Sequence, residues 1–141
     1  MSLHPTSFAD WQHYPSTLDP IHIAWLKNAK KSKTAFAVAD IEGVEISHKK
    51  FLTGVLLFSR KIEVYSPEQN VGLLLPSSGG GAIASMAILS LGKTIVNLNF
   101  TAGKKALQSA AQQAEVKHIY TSRKFIDKMQ ERGIDLESFF P

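Results

Sequence analysis

The sequence predicts an α/β fold, a three-layer parallel βαβαβ unit preceded by a short β-hairpin, and three observations predict it. Three short apolar runs, at residues 71–75, 94–98 and 117–121, alternate with stretches of helical periodicity, the pattern that right-handed crossovers and a parallel sheet require. Two still shorter apolar runs flank Asp40-Ile41-Glu42-Gly43, a turn signal. The 141 residues, 44% hydrophobic and 20% charged, are sized for one globular domain and exclude the disordered and collagen-like classes.

Residues 1–34 read as a leading arm punctuated by Pro5, Pro15 and Pro20, with a short helix predicted over 20–30. Asp19 is its expected cap, and Ile21, Trp25 and Leu26 share a face. Residues 35–141 read as the main body. It opens with a hairpin, Ala35-Phe36-Ala37-Val38 against Val44-Glu45-Ile46, with Gly43 in the turn. From Ser47, a good N-cap, the period becomes helical: Phe51, Leu52, Val55, Leu56, Phe58 and Ile62 form one stripe, with Lys49, Lys50, Arg60 and Lys61 off it. Val71-Gly72-Leu73-Leu74-Leu75, ended by Pro76, is the unbroken apolar run of a strand covered on both faces.

A predominantly apolar helix is predicted over 82–91 and is closed by Gly92. Thr94-Ile95-Val96-Asn97-Leu98 is the second strand. Thr101 is then expected to cap a helix whose small face is Ala102, Ala106, Ala110, Ala111 and Ala114. Lys117-His118-Ile119-Tyr120-Thr121 is the third strand, after which Ser122 caps a helix carrying Phe125, Ile126 and Met129 to a stop at Gly133. A sheet of three parallel strands needs cover on both faces and management of its edges, so the chain reads as one lobe of a longer protein, or as one that self-associates through an exposed sheet edge.

Composition narrows the chemistry. With no Cys, thiol catalysis, disulfides and thiolate zinc are impossible, and a reducing cytoplasm is the expected compartment. Sixteen Lys and Arg against twelve Asp and Glu give +4, but the basic residues are scattered and not interleaved with aromatics, so no nucleic-acid partner is expected. The N-terminus lacks the basic start and apolar core of a secretory leader. Residues 69–92 carry no charge, yet Pro76 and the Ser77-Ser78-Gly79-Gly80-Gly81 run divide them, and 82–91 falls short of the roughly 20 residues of a membrane span.

Among candidate motifs, Gly79-Gly80-Gly81-Ala82-Ile83-Ala84 formally satisfies G-x-G-x-x-A between a strand and a helix, where backbone N–H groups hold a dinucleotide pyrophosphate. The acidic residue expected about 20 positions on is absent, Asn97 and Asn99 standing there instead, and Pro76-Ser77-Ser78 separates the glycines from the strand. A structural glycine-rich turn is the plainer reading. No Lys-Ser/Thr follows the glycines, so the run is not a Walker A loop. His4, His13, His22, His48 and His118 show no metal-ligand spacing, and His4–Asp10 and His13–Asp19 are too widely separated for the His-Asp pair of a glycerolipid acyltransferase. Asp40, Glu42 and Glu45 are explained by turn chemistry, and Ser77 and Ser78 have no visible His/Asp partners.

The linear order of residues 35–133 resembles the opening of the AMP-forming acyl synthetases: the hairpin, the helix from Ser47-His48-Lys49-Lys50-Phe51, the strand Val71-Gly72-Leu73-Leu74-Leu75-Pro76, the small-residue helix, then Gly92-Lys93-Thr94-Ile95-Val96-Asn97-Leu98-Asn99. Leu98-Asn99-Phe100-Thr101-Ala102-Gly103 and the block from Ala114-Glu115-Val116-Lys117-His118 to Ser122-Arg123-Lys124-Phe125 are similar to the synthetase portion of bifunctional 2-acylglycerophosphoethanolamine acyltransferase / acyl-acyl carrier protein synthetases. The resemblance implies a parent enzyme that uses ATP and Mg to adenylate a fatty acid, then transfers the acyl group to CoA or an acyl carrier protein, and in this subfamily to a lysophospholipid at the inner membrane. The family's phosphate loop ending in Gly-x-Pro-Lys, its adenine and ribose motifs and its catalytic Lys have no counterpart here. No catalytic, cofactor-binding or metal residue is therefore assigned, and the chain is expected to be a truncated N-terminal subdomain, inactive alone, whose partner is the remainder of the synthetase. A non-enzymatic interaction domain docking through its sheet edge, and a dinucleotide-binding domain using residues 79–84, remain as alternatives.

Overall fold

The computed structural model describes residues 19–40 and 43–139. Helix α1 (Ile21–Ala29) starts at Pro20, whose carbonyl accepts the Ile23 and Ala24 amides. Asp19, one residue too early to cap, instead pairs with Lys27 Nζ at 2.6 Å. The helix packs onto the body from Trp25 onward, through Trp25 and the buried Ala29. Ile21, expected on that face, lies at the free end and is 62% exposed.

Strands β1 (Phe36–Ala39) and β2 (Glu45–Ser47) form the antiparallel hairpin, with Val38 opposite Ile46 and an irregularity between Phe36 and Val38. Gly43 has φ +78°, the left-handed turn conformation that favours glycine, and its amide reaches the Asp40 carbonyl at 3.0 Å. Ser47 caps α2 (His48–Tyr65), its Oγ accepting the Lys50 amide. The stripe that α2 buries steps through Phe51, Val55, Phe58 and Ile62. Leu56 was grouped with that stripe but falls well around the helix from it, and it is 56% exposed.

Strand β3 (Asn70–Leu73) is central, with β4 (Thr94–Asn97) and β5 (Ile119–Tyr120) parallel on either side, in the order β4-β3-β5. The expected third strand is thus trimmed to two residues. Right-handed crossovers from β3 out to β4, and from β4 back across β3 to β5, run in opposite directions and so place their helices on opposite faces. These are α3 (Gly79–Ser90) and α4 (Lys104–Gln113), and α5 (Arg123–Gln130) follows β5.

Two apolar clusters match the two faces. One joins Phe51, Val55 and Ile62 of α2 with Val71, Ala87 and Ile88; the other joins Leu74, Leu98, Leu107, Ala111, Phe125, Met129 and Leu136. Gly72 lets β5 approach, since a Cβ there would stand 2.8 Å from both Ile119 Cγ1 and Val116 Cγ1.

Two helix starts differ from expectation. The glycines do not precede the helix but form its first turn, because Ser78 is the N-cap and its Oγ accepts the Gly81 amide at 3.1 Å. Thr101 caps nothing: residues Phe100–Ala102 form a 3₁₀ turn capped by Asn99, and α4 starts after Gly103, at φ +82°. Leu107, 1% exposed, and Ala111 are buried, whereas Ala102, Ala106 and Ala110 face solvent, because one leucine offers more apolar area to the core than a row of alanines. Ser122 does cap α5, accepting the Phe125 amide at 3.2 Å, and Gly133 ends the turn that follows with φ +77°. Among the described residues no helix is long and apolar enough to cross a membrane.

Candidate functional site at the carboxyl ends of the strands

In parallel α/β sheets ligands sit beyond the carboxyl ends of the strands, where neighbouring crossovers diverge. Here that place lies beside the loop Leu74-Leu75-Pro76-Ser77-Ser78, between β3 and α3. A cavity of about 160 Å³ on one side of the loop is lined by Asp40, Ser77, Ser78 and Gly80, and across from them by Ser122, Lys124, Phe125 and Lys128. A recess of about 450 Å³ on its other side is lined by Leu73, Gly81, Ser85, Asn97 and Leu98 as well as the loop. Both are floored by Leu75 and Pro76.

The geometry of α3's first turn is dictated by close packing. A Cβ on Gly79 would lie 2.6 Å from Ile46 Cδ1 of the hairpin, and one on Gly81 would lie 2.8 Å from the Pro76 carbonyl. The hairpin also supplies the charge there: Asp40 Oδ2 accepts the Gly79 amide at 3.3 Å, while its Oδ1 accepts the Val44 amide at 3.1 Å. A carboxylate at a helix N-terminus is favourable to the helix dipole, and it repels a phosphate approaching the same amides. The dinucleotide reading of residues 79–84 therefore loses its anion site to Asp40.

Ser78 Oγ donates to the Pro76 carbonyl at 3.3 Å and accepts the Gly81 amide, so it is a helix cap. Asn97 lines the larger recess, whereas Asn99 Oδ1 is consumed by the Thr101 amide and hydroxyl at 3.0 and 2.7 Å. Glu45 is exposed in β2. Glu42, His4, Asp10 and His13 lie outside the described residues.

The remaining histidines are dispersed. His48 is buried, its Nδ1 accepting from Trp25 Nε1 at 3.2 Å. His118 Nδ1 donates to Glu68 Oε1 at 2.8 Å, at the opposite, amino end of the sheet. Burial pushes the Glu68 carboxyl up, but hydrogen bonds from its own backbone amide and from His118, with the His118 charge, outweigh it and hold the carboxyl below its ordinary range. Among the described residues no three His, Asp or Glu side chains gather as a metal site.

Lys124 and Lys128, one turn apart on α5, enter the crevice; residue spacing alone made them part of a solvated face. The signal available in the sequence was their position directly after the end of a strand. The crevice lining carries both charges, Asp40 on the wall formed by the hairpin and the Ser77-Ser78 loop and Lys124 and Lys128 on the wall formed by α5.

No family model matches the chain. Solved structures of similar fold do. The chain is 20% identical to holo-AB3403, a four-domain nonribosomal peptide synthetase bound to AMP and glycine, with a TM-score of 0.68 over 79% of this chain and 8% of that one. It is 16% identical to VinN, with a TM-score of 0.69 over 80% of this chain and 31% of VinN. The N-terminal subdomain of Klebsiella oxytoca NpsA, in complex with 3-hydroxybenzoyl-AMSN, matches at 10% identity and a TM-score of 0.64, over 72% of this chain and 26% of that one. The fold is that of a subdomain of the adenylate-forming enzymes. The chain spans less than a third of the length of each of these structures.

Proposed function

We infer that the chain is part of the N-terminal domain of an ATP-dependent, AMP-forming ligase that activates a fatty acid. The observation that carries the ligase part of this reading is the fold likeness, which takes up four-fifths of this chain but under a third of VinN. In such a ligase ATP and a carboxylate give an acyl-adenylate and pyrophosphate, replacing a poor leaving group by AMP. A thiol of CoA or of an acyl carrier protein then takes the acyl group, and the blocks at residues 98–103 and 114–125 favour a lysophospholipid as the final acceptor. The longer protein would act in the cytoplasm, at the inner membrane.

At the crevice Asp40 holds the Gly79 amide, a backbone donor that a phosphate would otherwise approach. In this reading the contribution of this chain is structural. It supplies part of a layered core and a crevice wall, with Lys124 and Lys128 facing the Ser77-Ser78 loop.

ATP–pyrophosphate exchange with a panel of fatty acids tests the reading, comparing the 141-residue chain with the longer polypeptide encoded by its gene. Exchange is expected from the longer polypeptide and not from the chain alone. Exchange by the 141 residues, or a longer product that supports none with any fatty acid, would overturn it.

A further inference from the structure

A third concavity lies away from the crevice loop, where the end of α1 meets the start of α2. Its volume is about 390 Å³, within the range of about 300–1,000 Å³ typical of small-molecule sites, and Leu26, Ala29 and Leu52 give it an apolar floor. Its rim is cationic. Lys30, Lys33 and Lys49 line it, all three exposed, and no carboxylate does. The backbone brings two of them together, the Lys49 amide donating to the Lys33 carbonyl at 3.1 Å. Among the described residues none of the three is in an ion pair.

An apolar floor under three cations is complementary to a molecule with an alkyl chain and one anionic head. A bilayer fits it poorly, because a flat lipid surface is met by apolar side chains that protrude, not by a hollow. A neutral apolar ligand leaves the three lysines unused. We propose that this groove binds a single-chain anionic amphiphile, its tail over Leu26, Ala29 and Leu52 and its head among Lys30, Lys33 and Lys49. The proposal does not rest on the ligase reading, and no ATP enters its test.

Trp25 is a built-in reporter, since its indole donates to His48, a residue of the groove wall. With Trp11 replaced by Phe, Trp25 fluorescence is followed as laurate is titrated below its micelle concentration into the 141-residue chain. Saturable one-to-one binding is expected, with no comparable response to acetate, which has the head without the tail, or to dodecyltrimethylammonium, which has the tail with the opposite charge. The triple variant Lys30→Glu, Lys33→Glu, Lys49→Glu is expected to bind at least about tenfold more weakly; if it does not fold, Lys33→Glu alone should shift affinity in the same direction. Equal binding of dodecyltrimethylammonium, unchanged affinity in the folded charge variants, or a response to phosphatidylglycerol vesicles but not to monomeric laurate would each overturn the proposal.

Discussion

Asp40 and Gly79 are joined across 39 residues: one carboxylate oxygen of Asp40 takes the Gly79 amide at 3.3 Å while the other closes the hairpin turn on Val44 at 3.1 Å. A single side chain thus ties the hairpin to the first residue of α3. Asp40→Ala is expected to destabilise the chain by about 1–2 kcal/mol, the range of a lost helix cap. Asp40→Asn, with one acceptor oxygen left, should recover part of that. A urea midpoint for Asp40→Ala equal to that of the unmodified chain would show the tie to be energetically idle.

The three glycines of α3's first turn should respond differently to a methyl group. Gly80 has open space, the nearest atom to an added Cβ being Ser78 Oγ at 3.9 Å, so Gly80→Ala should stabilise by about 0.5–1 kcal/mol through helix propensity. Gly81→Ala pushes a Cβ to 2.8 Å from the rigid Pro76 carbonyl and should destabilise by about 1–3 kcal/mol. Gly79→Ala falls between them, because the Ile46 methyl it meets can swing aside. Thermal melting of the three variants gives the order directly; Gly81→Ala melting above Gly80→Ala would refute it.

Ser66 is fully buried, and its Oγ shares a 2.8 Å hydrogen bond with the Tyr120 hydroxyl, linking the end of α2 to β5. Tyr120→Phe strands the Ser66 hydroxyl in the core at a cost of about 1–3 kcal/mol. The double variant with Ser66→Ala leaves nothing unpaired. A double-mutant cycle should therefore give a loss smaller than the sum of the two single losses, and strict additivity would mean the bond contributes nothing.

Acid should weaken the amino end of the sheet. The folded-state pKa of Glu68 lies below its ordinary value of 4.5, so the stability it contributes is fully present above 4.5 and is lost as pH falls through the lowered value. Glu68→Gln never has that contribution. The difference in urea midpoint between the unmodified chain and Glu68→Gln should be present at pH 5 and shrink as the pH falls below 4.5. A difference that stays constant down to pH 3 would contradict this.

Most of the elements were legible along the chain, and the caps show why. Ser47 and Ser122 each sit at the switch into helical periodicity, and each binds the amide three residues on. Thr101 failed as a cap because two local options compete. Asn99 reaches the Thr101 amide first and winds a 3₁₀ turn, so that Gly103 becomes the entry to α4. The candidate site was less legible. Asp40, Ser77 and Ser78 were singled out individually, but nothing in their spacing announced that the hairpin carboxylate would reach α3 or that Lys124 and Lys128 would face them.

By itself the sequence determined the type and order of most strands, helices and turns, because apolar period, capping side chains and glycine's access to positive φ act between residues a few positions apart. Only the tertiary structure decided the order β4-β3-β5, the face that α4 buries, the meeting of Asp40 with Gly79 and the basic groove between α1 and α2. Those depend on which apolar surfaces cover which face of the sheet, a competition among residues far apart in the chain that is resolved by total buried area and not by any local preference.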